Sequence, residues 1–587
     1  MKLIALVYSF AAVAEANFFN PILSGFHPDP SCIHVDNAFF CVTSTFTWSP
    51  GVPVYTSTDL RHWTLVSHVL NRREQLPQLE NAPTGQDGLF ASTIRHHNNT
   101  FYVTTTFVSI TSYKEFTMQN LIFSTNNLFN ASSWSIPTEF NFTGYDPSLF
   151  FDDDSDTVYL TGAAVSSTGT AIALTTIDIG TGVLGDFSYP WNGTGLGTAE
   201  GPHLYKKDNW YYILVAEGGT KELHRGSISR SRTVYGPYES NPANPIVAAE
   251  HLNSSYIQTV GHADIFQDKA TGHWWGVALA MRSGAKFETY PMGRETVLFP
   301  VSWSAGEGSW PRLLEPVRGQ MMASLPGTLT NSSSLPGIHH GIDVVDFASD
   351  SVLPSHWVHI RYPNESAYSI SLEGHANSMR LGLSSRNLSS MILPHDTLTK
   401  DITFVGRRQT ETLFSFSVDL DFDPQLLGEE AGISVYLDEK RHIDFSVAFD
   451  NQTTSGKLLQ VQSFSSNENV TVPQPVTLPL PSEYRNRTPI RLEVLASNTT
   501  HYTFLAGFPD LCKPEAVHMM IVGHAGASLV SGGYTGVVIG VYGTTNGQTI
   551  KRKSAAYVSR WRTFVFDPVN KQSVELRHEA QTLILED

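Results

Sequence analysis

The sequence predicts an all-β protein of two domains, a five-bladed β-propeller followed by a β-sandwich. Three observations predict it. An acidic or polar residue recurs just ahead of a strand that opens a hairpin, at Asp29-Pro30-Ser31, Asp146-Pro147-Ser148, Glu200-Gly201-Pro202 and His262-Ala263-Asp264, with Ala91-Ser92-Thr93 filling the slot once without charge. The markers Asp29, Ala91, Asp146, Glu200 and His262 follow one another at intervals of 54 to 62 residues, so five similar units are implied. A near-constant period in an all-β pattern is the signature of radial repetition, in which four-stranded blades surround a central channel. Beyond a stretch rich in Ser, Thr, Pro and Gly, alternating strands resume without that period, and helix signals are weak throughout.

At the N-terminus, Met1-Lys2, the apolar run Leu3 to Val13 and Ala14-Glu15-Ala16 read as a secretory signal peptide over residues 1–16. The mature chain is expected to begin at Asn17 and to be extracellular. No later run approaches the ~18 to 20 apolar residues of a membrane span. Sequons at Asn98-Asn99-Thr100, Asn141-Phe142-Thr143, Asn387-Leu388-Ser389 and Asn486-Arg487-Thr488 agree with secretion and a glycosylated surface.

The propeller is assigned to residues 20–313. Its units open with hairpins whose turns are polar: Asp36-Asn37, Asn98-Asn99, Asp152 to Asp156, Lys207-Asp208-Asn209 and Asp268 to Gly272. Counting outward from Asp36-Asn37 pairs Val35 with Ala38 and Cys32 with Cys41. That last pair falls at a non-hydrogen-bonded position, whose ~4.5 Å Cα separation is at the short edge of disulfide geometry. A Cys32–Cys41 bridge is expected, two buried thiols being the alternative, and Cys512 is left over. The aspartates at 152–156 lack the spacing of a calcium loop and read as a solvated turn. Residues 314–338 read as a linker. Residues 339–575 carry short alternating strands such as Phe414 to Leu420, Ile433 to Tyr436, Ile490 to Val494 and Thr535 to Tyr542, the pattern of a β-sandwich.

Composition narrows the function. At 587 residues the chain exceeds one core, which agrees with two domains. Charged residues are 16% and aromatic residues 11%, a balance suited to an uncharged polar ligand that stacks on rings. The net charge of −17 argues against nucleic acid and against an anionic membrane surface. On a propeller, the residues ahead of the innermost strands meet at one mouth of the channel. Asp29, Asp146 and Glu200, far apart in sequence, then form a three-carboxylate cluster suited to acid–base chemistry.

The flanks of these residues carry a resemblance. Asn20 to Leu23 with Gly25 to Ser31, Pro50 to Val54, Gly144 to Phe150, Glu200 to Tyr205, Gly261 to Asp264 and Gly293 to Thr296 resemble, in order, the motifs of glycoside hydrolase family 43, nearest its β-xylosidase and α-L-arabinofuranosidase branch. Arg407-Arg408-Gln409, Glu429 to Gly432 and Gly532 to Gly543 are similar to the concanavalin A-like domain that accompanies that branch.

The resemblance implies an inverting exo-hydrolase acting on oligosaccharide or xylan, in which Asp29 matches the general base, Glu200 the general acid and Asp146 the acid that tunes and orients Glu200. His262 and Arg294 match residues near the sugar subsite, and Phe46 and Phe90 match aromatics lining the pocket. No cofactor is required by this chemistry. Some relatives hold calcium or water in the channel, which makes His262 a metal-facing residue in a second reading. Leu89-Phe90-Ala91-Ser92-Thr93 departs from the relatives' Trp followed by Ala-Pro-Thr, and Thr56 replaces a common histidine.

An inverting hydrolase needs a carboxylate to deprotonate water and a protonated acid for the leaving oxygen, about 6.5 to 9.5 Å apart. An ionised Asp146 beside Glu200 is expected to keep the acid protonated. The sandwich is expected to close one end of the pocket. β-1,4-Xylosidase activity is the first expectation, α-L-arabinofuranosidase the second, and a non-catalytic glycan-binding protein the rival from another class.

Overall fold

The computed structural model describes residues 17–112, 115–167, 169–250, 256–283, 288–326, 342–390, 401–480, 489–509, 517–548 and 554–566. The expected signal peptide, Cys512 and the Asn486 sequon lie outside the described residues.

Five antiparallel sheets succeed one another from Ser31 to Leu313. Blade I is Ser31–Val35, Ala38–Val42, Gly51–Ser57 and Thr64–Leu70. Blade II is Thr93–His97, Thr100–Ser112, Glu115–Thr125 and Thr138–Phe140, with the short Gly88–Leu89 beside its second strand. Blade III has three strands, Gly144–Asp152, Thr157–Ser166 and Gly169–Thr176, and single bridges Leu174 to Ser188 and Ile177 to Leu184 at its outer edge. Blade IV is Glu200–Lys207, Trp210–Glu217, Arg225–Ser231 and Glu239–Ser240. Blade V is Ile257–Gln267, Trp274–Arg282, Glu295–Ser302 and Arg312–Leu313.

The hairpin turns follow from their residues. Asn98 and Asn99 have φ of 47° and 59°, and Asp208 and Asn209 49° and 60°. Two left-handed residues in a two-residue loop make a type I′ turn, whose twist matches the strands and which Asn and Asp tolerate best. In blade I the register pairs Val35 with Ala38 and Cys32 with Cys41, and the two cysteines are bridged across a Cα separation of 4.2 Å.

Apolar residues from neighbouring blades fill the space between sheets. Where blade V meets blade I, Ile22, Leu23, Phe39, Tyr55, Trp275 and Phe299 share one buried cluster. Each such side chain contributes roughly 1.5–3 kcal/mol on burial. The ring is closed by the N-terminal segment. Asn20 donates to the carbonyls of Leu298 and Arg318 and accepts from the Leu298 amide, while Asn17–Phe19 pairs with Gln320–Met322. Residues 314–326, read from composition as the start of a linker, therefore pack on the propeller, with Val317, Met321 and Leu325 in its core.

The second domain is two antiparallel sheets face to face. One runs Tyr368–Leu372, His375–Gly382, Ala555–Val565, Phe414–Asp421, Ile490–Ala496, His501–Gly507 and Met519–Gly526, with Asp343–Val345 also on Ala555–Val565. The other runs Thr403–Arg408, Val538–Thr544, Glu430–Asp438, Arg441–Phe449, Lys457–Phe464 and Val476–Pro479. Phe416, Phe445, Phe504 and Trp561 lie in the core between them.

The two domains share structure. Trp48–Ser49 of the propeller pairs with His359–Ile360, and Phe26, Phe46 and Trp48 pack in one cluster with Phe404, Tyr436 and Tyr542. No helix among the described residues is long and apolar enough to cross a membrane.

Candidate active site

A backbone device repeats at the start of the innermost strands. Asp29, Asp146 and His262 have φ of 52°, 55° and 49°, and Gly201 has 57°. In blades III, IV and V this residue sits at a bulge, where the register slips after Tyr145, Glu200 and Gly261. A bulge bends the strand and re-aims a side chain, and Asp is among the few residues that adopt the left-handed conformation at modest cost. The residue two positions further on, Ser31, Ser148, His203 or Asp264, then faces the channel and meets Arg95.

The periodic reading aligned Glu200 with Asp29 and Asp146. The structure aligns Gly201 with them and sets Glu200 one residue earlier, opposite Ala216. Only glycine fits at 201, since a Cβ there would lie 2.8 Å from the His262 Nε2.

Asp29, Asp146 and Glu200 come together at this mouth: the Asp146 carboxyl feels the charges of both others. Their environments differ. The Arg294 Nη1 donates to Asp29 Oδ1 at 2.9 Å, the Ser44 hydroxyl donates to Oδ2 at 2.5 Å, and the His262 Nδ1 lies 3.7 Å from Oδ1. Burial pushes the Asp29 carboxyl up, but Arg294, His262 and Ser44 together hold it below its ordinary range.

Asp146 has only the Gly201 amide, donating to Oδ2 at 3.0 Å. Burial above all, then the charges of Glu200 and Asp29, push it up to about 7 against the pull of His262. Asp146, expected to be the charged neighbour, is thus itself the carboxyl that retains a proton. Glu200 is partly exposed, and its Oε2 accepts from the Tyr145 hydroxyl at 3.1 Å. Burial and the nearby carboxylates raise the Tyr145 pKa, so this phenol remains a donor.

The pocket wall comes from both domains. Arg294, beyond its bond to Asp29, donates from Nε to the Tyr534 carbonyl at 2.9 Å. Its guanidinium lies 5.5 Å from the Phe46 ring centre and 5.6 Å from that of Tyr534. Phe46 stacks on Tyr534 at 6.3 Å, packs at a tilt against Phe90 at 4.8 Å and is 1% exposed, so it backs the wall rather than lining it. Phe90, partly exposed, and Tyr534, 42% exposed, present their rings.

The loop carrying Tyr534 docks because glycines let two backbones touch. A Cβ on Gly293 would lie 2.4 Å from the Thr535 carbonyl oxygen, and one on Gly536 2.1 Å from that of Met292. Gln86 fixes the loop, accepting from the Tyr534 amide at 2.7 Å and donating to the Thr535 hydroxyl at 2.8 Å. Sequence reasoning missed Tyr534, Tyr145, Ser44 and Gln86. The one signal was Gly532-Gly533-Tyr534-Thr535-Gly536, a glycine-flanked ring in a stretch noted only for its domain resemblance.

The channel below the mouth is filled by Arg95. Its Nη1 donates to Asp264 Oδ2 at 2.9 Å, the Ser31 hydroxyl at 3.2 Å and its neighbour Ile94's carbonyl at 2.8 Å. Its Nη2 lies 3.1 Å from His203 Nδ1 and donates to the Ser148 hydroxyl at 3.3 Å. One guanidinium thus joins the inner strands of all five blades.

Calcium takes six to eight oxygen ligands. In the channel Asp264 is already engaged by Arg95, Ser31 and Tyr205, and burial pushes the His203 imidazole down to about 3, leaving it neutral. His262, the residue expected to face a metal, lies between Asp29 and Gly201. Among the described residues no cluster of His, Cys, Asp and Glu is arranged for a metal ion. These residues do not fit calcium.

Residues 18–310 match the family model for glycosyl hydrolases family 43, and residues 344–562 that for the beta xylosidase C-terminal concanavalin A-like domain. A non-reducing end alpha-L-arabinofuranosidase of Bacteroides ovatus is 33% identical, covering 93% of this chain and 95% of its own. A beta-xylosidase of Bacillus subtilis is 29% identical, covering 78% of this chain and 85% of its own. The crystal structure of a xylan beta-1,4-xylosidase from Bacillus halodurans superposes with a TM-score of 0.79 at 27% identity, over 93% of this chain and 99% of that one. With both domains matched in order and relatives aligned along nearly its whole length, the chain belongs to glycoside hydrolase family 43 and is a glycosidase of the xylosidase and arabinofuranosidase kind.

Proposed function

We propose that the protein is a secreted, exo-acting and inverting glycosidase that removes the terminal β-xylosyl residue from xylo-oligosaccharides. Asp29 is the general base that deprotonates the attacking water. Glu200 is the general acid that protonates the leaving oxygen, and Asp146 supplies and orients the proton Glu200 delivers. The observation that carries this reading is the opposite treatment of carboxyls at one mouth: Arg294 keeps Asp29 charged, while Asp146 holds a proton up to about pH 7 beside Glu200. A base that is ionised and, beside the acid, a carboxyl that keeps its proton at the same mildly acidic pH suit the two halves of inverting hydrolysis. No metal enters any step.

Tyr534, bonded through its carbonyl to Arg294 and through its amide to Gln86, brings the sandwich to the mouth, which supports an exo-acting reading. Tyr534→Ala is expected to raise KM for xylobiose about tenfold with a smaller change in kcat, as loss of a stacking wall implies. A second reading, α-L-arabinofuranosidase, is favoured by the Bacteroides ovatus relative's name and near-complete alignment.

One experiment separates the readings. Wild-type protein and Glu200→Ala are assayed on p-nitrophenyl β-D-xylopyranoside and α-L-arabinofuranoside near pH 5, with the first-formed anomer followed by proton NMR. Release of α-xylose from the β-xyloside, slowed in the variant, is the expected result. Retained anomeric configuration overturns the mechanism, and preference for the arabinoside moves the second reading to first. For secretion, N-terminal sequencing of protein from culture medium is expected to start at Asn17; retention of the leader inside the cell overturns that part.

A further inference from the structure

A buried charge without a partner costs several kcal/mol, about what a whole stabilising network supplies, so buried arginines are paired. Most here obey. Arg282 is forked by Glu295 at 2.7 and 2.8 Å, Arg491 by Asp419 at 2.6 and 2.9 Å, and Arg407 lies 3.2 Å from Asp343. Arg408 does not. It ends the strand Thr403–Arg408, is 5% exposed, and its buried Nε and Nη2 have no hydrogen-bond partner among the described residues. Burial pushes its pKa down, and the group that pulls the other way is the neutral phenol of Tyr55, not a carboxylate. A guanidinium nonetheless stays protonated in a protein, so deprotonation does not relieve the site.

Its neighbour is unsatisfied too. The Nε2 of His68 is buried without a partner, and burial, with the charges of Arg408 and His356, pushes this imidazole down to about 3. Buried polar atoms left without a partner in a native fold call for a bound water or ion. Arg408 borders a cavity of about 290 Å³ between the domains, lined also by His27, Tyr55, Thr64, His356 and Thr410. The His356 side chain is 36% exposed, which opens the cavity to solvent. Among the described residues lining it, the one carboxylate, Asp343, is taken by Arg407, His356 and Trp357.

We propose that this interdomain cavity binds a small oxyanion, phosphate or carboxylate, held by the Arg408 guanidinium. Two oxygens of such an ion match the guanidinium's fork, and the Thr410 hydroxyl in the same lining is a further donor. The ion joins blade I to the sandwich and supplies the negative charge that Arg408 lacks among the described residues. The site is separate from the catalytic mouth, and its existence does not depend on the proposed reaction.

The test uses the full-length protein, dialysed exhaustively into a zwitterionic buffer. Sodium phosphate and sodium acetate are titrated separately by calorimetry, with sodium chloride at matched ionic strength as the reference. Saturable binding of one ion per chain, accompanied by a rise in thermal midpoint that chloride does not reproduce, is expected for at least one oxyanion; which one binds identifies the source. Arg408→Met is expected to weaken it by about thirtyfold or more, the consequence of losing one charge-assisted partner in a buried interface. Should that variant fail to fold, Thr410→Val keeps the charge and is expected to weaken binding severalfold. The proposal is overturned if neither oxyanion binds beyond chloride, or if the folded variants bind as tightly as wild type.

Discussion

Blades I and III present the same tripeptide at the same mouth. Asp29 and Asp146 each precede Pro-Ser, have φ of 52° and 55°, and are 5% and 7% exposed. Yet one carboxyl is held below its ordinary range and the other raised to about 7. The local sequence decides where each carboxyl points. Its protonation is decided by residues from elsewhere: Arg294 of blade V and Ser44 act on Asp29, while Asp146 has a single backbone amide and two acidic neighbours. Position is thus a property of the repeat, and chemistry a property of the ring's asymmetry.

The largest expected effects test the division of labour. Asp29→Asn and Glu200→Ala should each lower kcat about 10²- to 10⁴-fold. The Glu200→Ala loss should be smaller on p-nitrophenyl xyloside than on xylobiose, because a phenolate departs without a proton, whereas the Asp29→Asn loss should be the same on both. Equal ratios in the two variants would erase the distinction between base and acid.

Arg294→Met makes Asp29 resemble Asp146. With its principal counter-charge gone, burial raises the Asp29 carboxyl, and the acidic limb of kcat/KM should move up by roughly one pH unit or more. An unmoved limb rejects Arg294 as the cause.

Asp146→Asn removes the other side of the comparison. The raised Asp146 binds a proton in the native state that the unfolded chain has released, so its stabilising contribution is full below the ordinary value of 3.8 and is lost as pH rises towards 7. Asp29, with its lowered value, contributes in the opposite sense and is lost as pH falls. Urea unfolding at pH 5 and pH 8 should therefore show a decline in the wild type that the variant lacks, by on the order of 1 to 4 kcal/mol. A parallel decline in both proteins sinks the assignment.

The smallest effect is a null. If Arg95 occupies the channel, EDTA should leave kcat and the thermal midpoint unchanged; a fall in either means that a metal, not the asymmetry of the blades, helps to set the two carboxyls apart.

Much of this was legible because strained backbone needs particular residues. A left-handed residue before a bulged strand is written as Asp-Pro-Ser twice, and that recurrence exposes both period and mouth. The periodic reading sets Glu200 one step out of register, because Glu does not carry the left-handed conformation cheaply and hands it to Gly201. The charge states were not legible. Arg294 lies 265 residues from Asp29, and only the closed ring brings them together. Arg95 reads as an ordinary strand residue until four other blades surround it. Tyr534 belongs to a loop whose place is set by close backbone approach at Gly293 and Gly536, which leaves no periodic trace.

The bond from Arg294 to the Tyr534 carbonyl spans 240 residues of chain. On a ribosome adding about 5 to 20 residues per second, blade V leaves the exit tunnel roughly ten seconds or more before that carbonyl exists. Trp48–Ser49 waits longer still for His359–Ile360. The mouth that holds the three carboxyls is therefore among the last parts of the molecule to mature, and nascent chains stopped before residue 345 are expected to carry a first blade that proteases cut readily. Protease resistance of that blade in such stalled chains would show the ring to be complete without its second half.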